Sequence, residues 1–245
     1  MSISLLFSFN NEVKAQDPAF SQFFANPLYL NPAMAGTNIC PRISLNHRNQ
    51  WPGIGKTYVT YSASYDQYVE KLGGGLGFAI AKDLAGAGNL NTTHISAAYA
   101  YRLKINKKLS INAGFEAAYR QLGIDWQNLT FGDMIDPVQG FIYPTNEDIV
   151  NYANSKGFTD FAAGFMGFGN ANNQFDYYFG FAAHHITMPD QGFIGESRLP
   201  MKVTANIGAS FPLNRFGTYR TTSGSRPKNA SILSPNILFQ KQQDF

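Results

Sequence analysis

The residues able to do chemistry are few and far apart. His184 and His185 are adjacent. On an extended strand their side chains leave opposite faces, so the pair cannot share a metal ion. Asp125, Asp133 and Asp136 fall in one long connection. Three carboxylates there suit calcium, but the same spacing is that of an ordinary polar loop, which is the favoured reading. Gly73-Gly74-Gly75-Leu76-Gly77 is rich enough in glycine to cradle a phosphate, yet no helix pattern follows and the dinucleotide spacing is absent. It reads instead as a turn running into a strand with a small inner face. Glu116 faces Arg102 and Arg120 across a predicted lumen, an arrangement for an internal ion pair and not for acid–base work. No G-x-S-x-G, H-E-x-x-H or Gly-Lys-Ser/Thr phosphate loop occurs, and the lone Cys40 allows neither an intrachain disulfide nor a thiolate cluster. No catalytic residue, cofactor site or metal site is assigned, and the chain is expected not to be an enzyme.

The elements carrying these residues repeat one pattern. From Arg42 onward, segments of about ten residues alternate large apolar with small or polar. Val59, Tyr61, Ala63 and Tyr65 oppose Tyr58, Thr60, Ser62, Ser64 and Asp66. Ile95, Ala97, Tyr99, Tyr101 and Leu103 oppose Ser96, Ala98, Ala100, Arg102 and Lys104. Leu109, Ile111, Ala113, Phe115, Ala117 and Tyr119 oppose Ser110, Asn112, Gly114, Glu116, Ala118 and Arg120. Val203, Ala205, Ile207, Ala209 and Phe211 oppose Thr204, Asn206, Gly208 and Ser210. Ile43–Trp51, Gly75–Asp83, Thr159–Gly169, Phe175–His185 and Ser231–Lys241 are weaker members of the series. Period two is the mark of strands with one apolar and one polar face.

The connections alternate as well. Those after even strands are mostly short (Glu70–Gly73, Asn106–Lys108, Asn170–Asn173), with the long Asn214–Lys228 as the exception. Those after odd strands are mostly longer: Leu84–Asn91, Gly123–Gly157 and Met188–Leu199. Long strands with short turns at one end and long loops at the other predict an all-β, antiparallel up-and-down transmembrane β-barrel over 42–245, its apolar face toward lipid and its Ser/Asn/Arg face toward the lumen. Tyr65, Tyr68, Tyr101, Tyr119 and Tyr177 are placed to form aromatic girdles. A soluble β-sandwich also alternates, but its outer face would carry Lys, Glu and Thr where this chain has Ala, Ser, Gly and Asn. About nine strands is an odd count, and an open sheet in lipid leaves backbone groups unpaired at several kcal/mol each. An incomplete barrel, with C-terminal strands missing, is therefore expected.

Composition agrees. In 245 residues only 14% are charged, against roughly 25% in an ordinary soluble domain, while 15% are aromatic, with 21 Phe and 13 Tyr. That excludes a disordered chain, and no run outside the first ten residues approaches the roughly 20 apolar residues of a spanning helix. The net charge of +3 is scattered, densest at Lys104, Lys107 and Lys108, and no basic stripe interleaves with aromatics as a nucleic-acid groove would require. Residues 1–16 read as a signal peptide, trimmed at its basic end, with cleavage after Gln16. Asp17 at the new terminus, where a lipoprotein has Cys, argues against a lipid anchor. The protein is expected to be exported to the Gram-negative outer membrane.

The most distinctive stretch, 17–41, is not a strand. Asp17-Pro18-Ala19-Phe20-Ser21-Gln22-Phe23-Phe24 leads into Asn26-Pro27-Leu28-Tyr29-Leu30-Asn31-Pro32-Ala33-Met34-Ala35-Gly36. Two Asn-Pro pairs five residues apart set extended or turn geometry at each Asn. In a barrel such a segment would sit inside or under the lumen as a plug.

These motifs resemble those of the PorP/SprF family of outer-membrane proteins of the Bacteroidetes type IX secretion and gliding machinery. The family's Gln-Asp-Pro-x-Phe-Ser-Gln opening is matched from Gln16, and its Asn-Pro-Leu-x-Leu-Asn-Pro-Ala-x-x-Gly by Asn26–Gly36. Its Arg-x-Gln-Trp is matched by Arg48, Gln50 and Trp51, its Leu-Pro and strand glycine by Leu199, Pro200 and Gly208. Its Ser-Pro-x-x-x-Phe-Gln is matched by Ser234, Pro235, Phe239 and Gln240. Members typically continue well past this last strand, which agrees with an incomplete barrel. The resemblance implies a non-enzymatic component that receives, translocates or anchors a secreted substrate, or links the translocon to periplasmic motor and ring lipoproteins. The partners it implies are the outer-membrane bilayer, the C-terminal domain of a type IX substrate and other secretion-machinery proteins. Its partner-facing segment would comprise Asn26, Pro27, Leu28, Tyr29, Leu30, Asn31, Pro32, Ala33 and Gly36, with Arg48, Gln50 and Trp51. Two other classes remain open: an outer-membrane porin or small-solute transporter, and, weakest, an outer-membrane hydrolase, for which Ser, His and Asp occur but are nowhere grouped.

Overall fold

The computed structural model describes residues 17, 20, 25–38, 40–53, 58–86, 90–106, 108–136, 138–146, 154–171, 175–193, 195–212 and 232–242. The predicted leader, the 214–228 connection and the tip of the 170–173 turn therefore fall outside the described residues, wholly or in part. Among the described residues twelve strands follow in order: β1 Arg42–Gln50, β2 Tyr58–Val69, β3 Gly74–Ala85, β4 Leu90–Lys104, β5 Leu109–Ile124, β6 Ile135–Asp136, β7 Gly140–Phe141, β8 Ser155–Ala171, β9 Phe175–His184, β10 Lys202–Pro212, β11 Ile232–Leu233 and β12 Asn236–Gln242. β6 and β7 form a small hairpin inside the long loop. The other ten form one sheet in which each strand runs antiparallel to its neighbour.

The last predicted strand is broken in two. Pro235 has no N–H to give the ladder, so pairing to β10 stops at Gly208–Asn236 and resumes at Phe211–Leu233. The register does not slip, and Ala209 N still donates to the Pro235 carbonyl at 3.1 Å. The predicted long connection Leu84–Asn91 is shorter than expected. Pairing continues through Leu84–Asn91 to Ala85–Leu90, because nothing in that sequence stops the ladder before Gly86.

Burial is inverted relative to a soluble sheet. On β4 and β5 the polar or small residues Ser96, Ala98, Ala100, Asn112, Glu116, Ala118 and Arg120 are buried, while Ile95, Tyr99, Tyr101, Leu103, Phe115 and Tyr119 are exposed. β2, β3, β8, β9 and β10 do the same, with Tyr61, Phe78, Ile80, Phe165, Phe181 and Ile207 outward. In water such a surface would be far beyond the apolar patch a soluble monomer carries; in a bilayer it is the expected lipid face. Among the described residues no helix is long and apolar enough to cross a membrane.

The sheet curls around Asp17, Phe20 and residues 25–36. Of these, Asp17 and residues 25–36 meet side chains or carbonyls of β1, β2, β4, β5, β8, β9, β10 and β12 through hydrogen bonds, and the backbone of β3 at Gly75. One short segment can touch both ends of the strand order only if the sheet wraps it. Among the described residues β1 pairs only with β2, and β12 only with β10, so the wall does not close. It is an incomplete up-and-down barrel.

Candidate functional site

The wrapped segment owes its shape to its two Asn-Pro pairs. Proline at the first helical position needs no amide partner, and Pro27–Leu30 makes one α-helical turn after Asn26. The turn cannot continue, because Asn31 precedes a proline and is forced extended, at φ −159° and ψ 122°. Pro32–Met34 then forms a 3-10 turn, capped by the Asn31 side chain, which accepts the Ala33 amide at 2.9 Å. Gly36 closes the segment at φ +60°, a left-handed conformation that glycine adopts without strain.

The wall is cut to fit. At Gly75 a Cβ would land on the Ala35 carbonyl, and at Gly114 on the Ala33 backbone, so both positions admit only glycine while the segment is seated. Leu28, Leu30, Ala33 and Ala35 are buried. Polar wall groups take up the segment's backbone. Asn112 Nδ2 donates to the Ala33 carbonyl at 3.2 Å, Arg102 to the Gly36 carbonyl at 2.7 Å, and the Gly36 amide donates to Asp66 at 2.9 Å. Arg42 bonds the same carboxylate at 2.7 and 3.1 Å. Asn31 Nδ2 reaches the Phe165 and Phe181 carbonyls at 3.1 and 3.2 Å, and Asn26 Nδ2 reaches Ser62 at 3.0 Å.

Toward the end of the sheet that carries the long loops, Asp17 is held by a cluster of charge. Lys202 donates to its carboxylate at 2.7 Å, Arg120 at 3.0 Å and His185 Nε2 at 2.8 Å. Behind them Asp160 Oδ2 lies 2.6 Å from His185 Nδ1 and 3.3 Å from Arg120 Nε. Burial alone would raise the Asp17 carboxyl, but Lys202 and Arg120, with His185, outweigh it and hold it well below the usual carboxylate range. Burial would lower the His185 imidazole, and its bonds to Asp160 and Asp17 reverse that, so it is raised. Lys202 also sits 4.6 Å above the Tyr29 ring, and Phe20 packs edge-on against Tyr29 at 5.3 Å.

Two small cavities lie beside the seated segment. A cavity of about 20 Å³ lies among Asn26, His94, Glu116, Arg120 and His184, and one of about 30 Å³ between Phe20, Tyr29, Thr60, Asp83 and Arg120. Each has room for about one water molecule.

Two sequence expectations are corrected. His184 and His185 do not leave opposite faces. The strand ends at His184, and His185 turns inward at φ 58°, so both are buried, bonded to the Leu30 carbonyl and to the two aspartates. Glu116 does not pair with Arg102 or Arg120. Its carboxylate lies 3.8 Å from His94 Nε2, since Arg120 is taken by Asp17 and Asp160, and Arg102 turns to Gly36 and Asn112. Asp133 and Asp136 fold back on their own loop, accepting from Asn146 and Thr145 and from Val138, Gln139 and Tyr143. Among the described residues no group of three or more metal-ligating side chains is assembled.

Of the partner-facing residues named from the sequence, Asn26–Gly36 lie together inside the wall. Arg48, Gln50 and Trp51 lie apart from them at the far end of β1. Arg48 bonds Gln50, and exposed Trp51 packs on Tyr58 at 5.6 Å. Sequence reasoning missed Asp17, Asp160, His185 and Lys202. For Asp160 and Lys202 the available signal was a charge on an alternating strand in a chain with little charge to spare; Asp17 and His185 lie outside the strands and carry no such signal.

Compared with known protein families, residues 12–245 match the type IX secretion system membrane protein PorP/SprF. A search of curated proteins returned no match.

Proposed function

The chain belongs to the PorP/SprF family of type IX secretion system membrane proteins, and from that premise we propose that it is an outer-membrane component that receives, translocates or anchors a secreted substrate through protein contact. The observation that carries this reading is the filled lumen. Asn26–Gly36 occupies the space a diffusing solute would need, and the two cavities described beside it hold about one water each. The wall is built to keep the segment, from the glycines under Ala33 and Ala35 to the side chains that bond its backbone. A protein so filled offers its loops and lumen ends to a partner, not a route for small solutes. The substrate's C-terminal domain is the proposed ligand, and the loop between β5 and β8 its contact.

Deleting residues 125–154, which lie between β5 and β8, in the native host, with the barrel still inserted, tests this assignment. Secretion or surface anchoring of the cognate substrate is expected to fall. Unchanged secretion overturns it.

A further inference from the structure

Asp17 occupies a site that other elements build. Its carboxylate receives Arg120 from β5, Lys202 from β10 and His185 from the turn after β9, at 3.0, 2.7 and 2.8 Å. His185 is fully buried, Lys202 6% and Arg120 9% exposed. Both ring nitrogens of His185 face carboxylate oxygens, at 2.6 Å to Asp160 and 2.8 Å to Asp17. Ionised carboxylates only accept, so the ring donates from both sides and is a cation. Three buried cations thus face two carboxylates, of which only Asp160 belongs to the wall. Without Asp17, Asp160 still holds His185 through a 2.6 Å bond and sits 3.3 Å from Arg120 Nε, but the receptor carries excess positive charge in a place water hardly reaches. The site also reads more than charge. The Asp17 main-chain nitrogen donates to Gln242 Oε1 on β12 at 3.2 Å. A carboxylate beside a main-chain N–H is what an acidic residue presents, within a peptide or at its amino end.

We propose that Arg120, Lys202 and His185, with Gln242, form a receptor for a peptide carboxylate, which Asp17 fills in cis and which an acidic residue of another chain takes when Asp17 is absent. The receptor stands on its own geometry and does not depend on which chain the machinery carries.

The test uses the full chain in detergent as Asp17→Ala, followed by its thermal midpoint in sodium acetate, in N-acetyl-aspartyl methylamide and in sodium chloride at equal ionic strength. The expected result is a lowered midpoint that acetate restores by more than half along a saturating curve. The aspartyl compound should act at lower concentration, and chloride should do nothing. Wild type responds to none of them, and adding Lys202→Met abolishes the rescue. Where Asp17→Ala does not fold in chloride, the yield on refolding in each salt is read instead. Equal rescue by acetate and chloride, an adventitious ion only, overturns the proposal. So does an unshifted midpoint in Asp17→Ala, or no rescue by either carboxylate.

Discussion

Asn31 is the sharpest point at which to perturb the seated segment. It is fully buried, and its side chain makes three bonds: two donated from Nδ2 to the Phe165 and Phe181 carbonyls, and one accepted from the Ala33 amide. Asn31→Ala removes all three and strands a buried amide. At a net of about 1 kcal/mol per neutral bond, the loss is about 3 kcal/mol, or about a hundredfold in the ratio of seated to unseated segment. Asn31→Asp is the discriminating change. It keeps the shape and the acceptor for Ala33, but it turns two donated bonds into a carboxylate facing two carbonyls. It should therefore cost more than alanine at neutral pH, and the cost should ease on acidification, where a protonated carboxyl can donate one bond. The assay is the thermal midpoint in detergent, followed by β-sheet circular dichroism, with limited proteolysis of the N-terminal segment in parallel. A midpoint for Asn31→Asp equal to wild type at pH 7 would refute the bonding scheme.

Two more perturbations test the plug and its charges. Seating of Asp17 should depend on pH on both sides. Its depressed carboxyl contributes fully above a pH of about 4, and the contribution is lost as pH falls from there through its lower folded value. The raised His185 contributes fully below about pH 6.5 and is lost as pH rises through its folded value. A midpoint that is flat from pH 3 to 9 contradicts this. Gly75→Val drives a side chain into the Ala35 carbonyl, backbone that cannot yield, at a cost of about 1–3 kcal/mol or more. Wild type should show no conductance steps in a planar bilayer and Gly75→Val should show them; steps from wild type would count against a filled lumen.

The wall was legible because period two needs no knowledge of partners. Phe115 and Tyr119 fall out and Asn112, Glu116 and Arg120 fall in by counting alone. The unclosed sheet was also legible, from the strand count. The pairing of charges was not. Arg120 lies near Glu116 in sequence and on the same face, so the local partner looked natural, yet Asp17 stands 103 residues away and takes the guanidinium. Choosing between them requires the three-dimensional path of a segment without periodicity. His185 failed for a different reason: alternation holds only while the strand lasts, and a single residue at φ 58° ends it.

The bond between the Asp17 main-chain nitrogen and Gln242 spans 225 residues, and that between Lys202 and Asp17 spans 185. Contacts this distant form late, since the intervening chain must give up its freedom first. The order of events is thereby constrained. Asp17 has to wait, unhoused, until β10 and β12 arrive to enclose it. A machine that inserts this protein into a bilayer must therefore wrap the wall around a segment already in place, or leave the wall able to part and admit it.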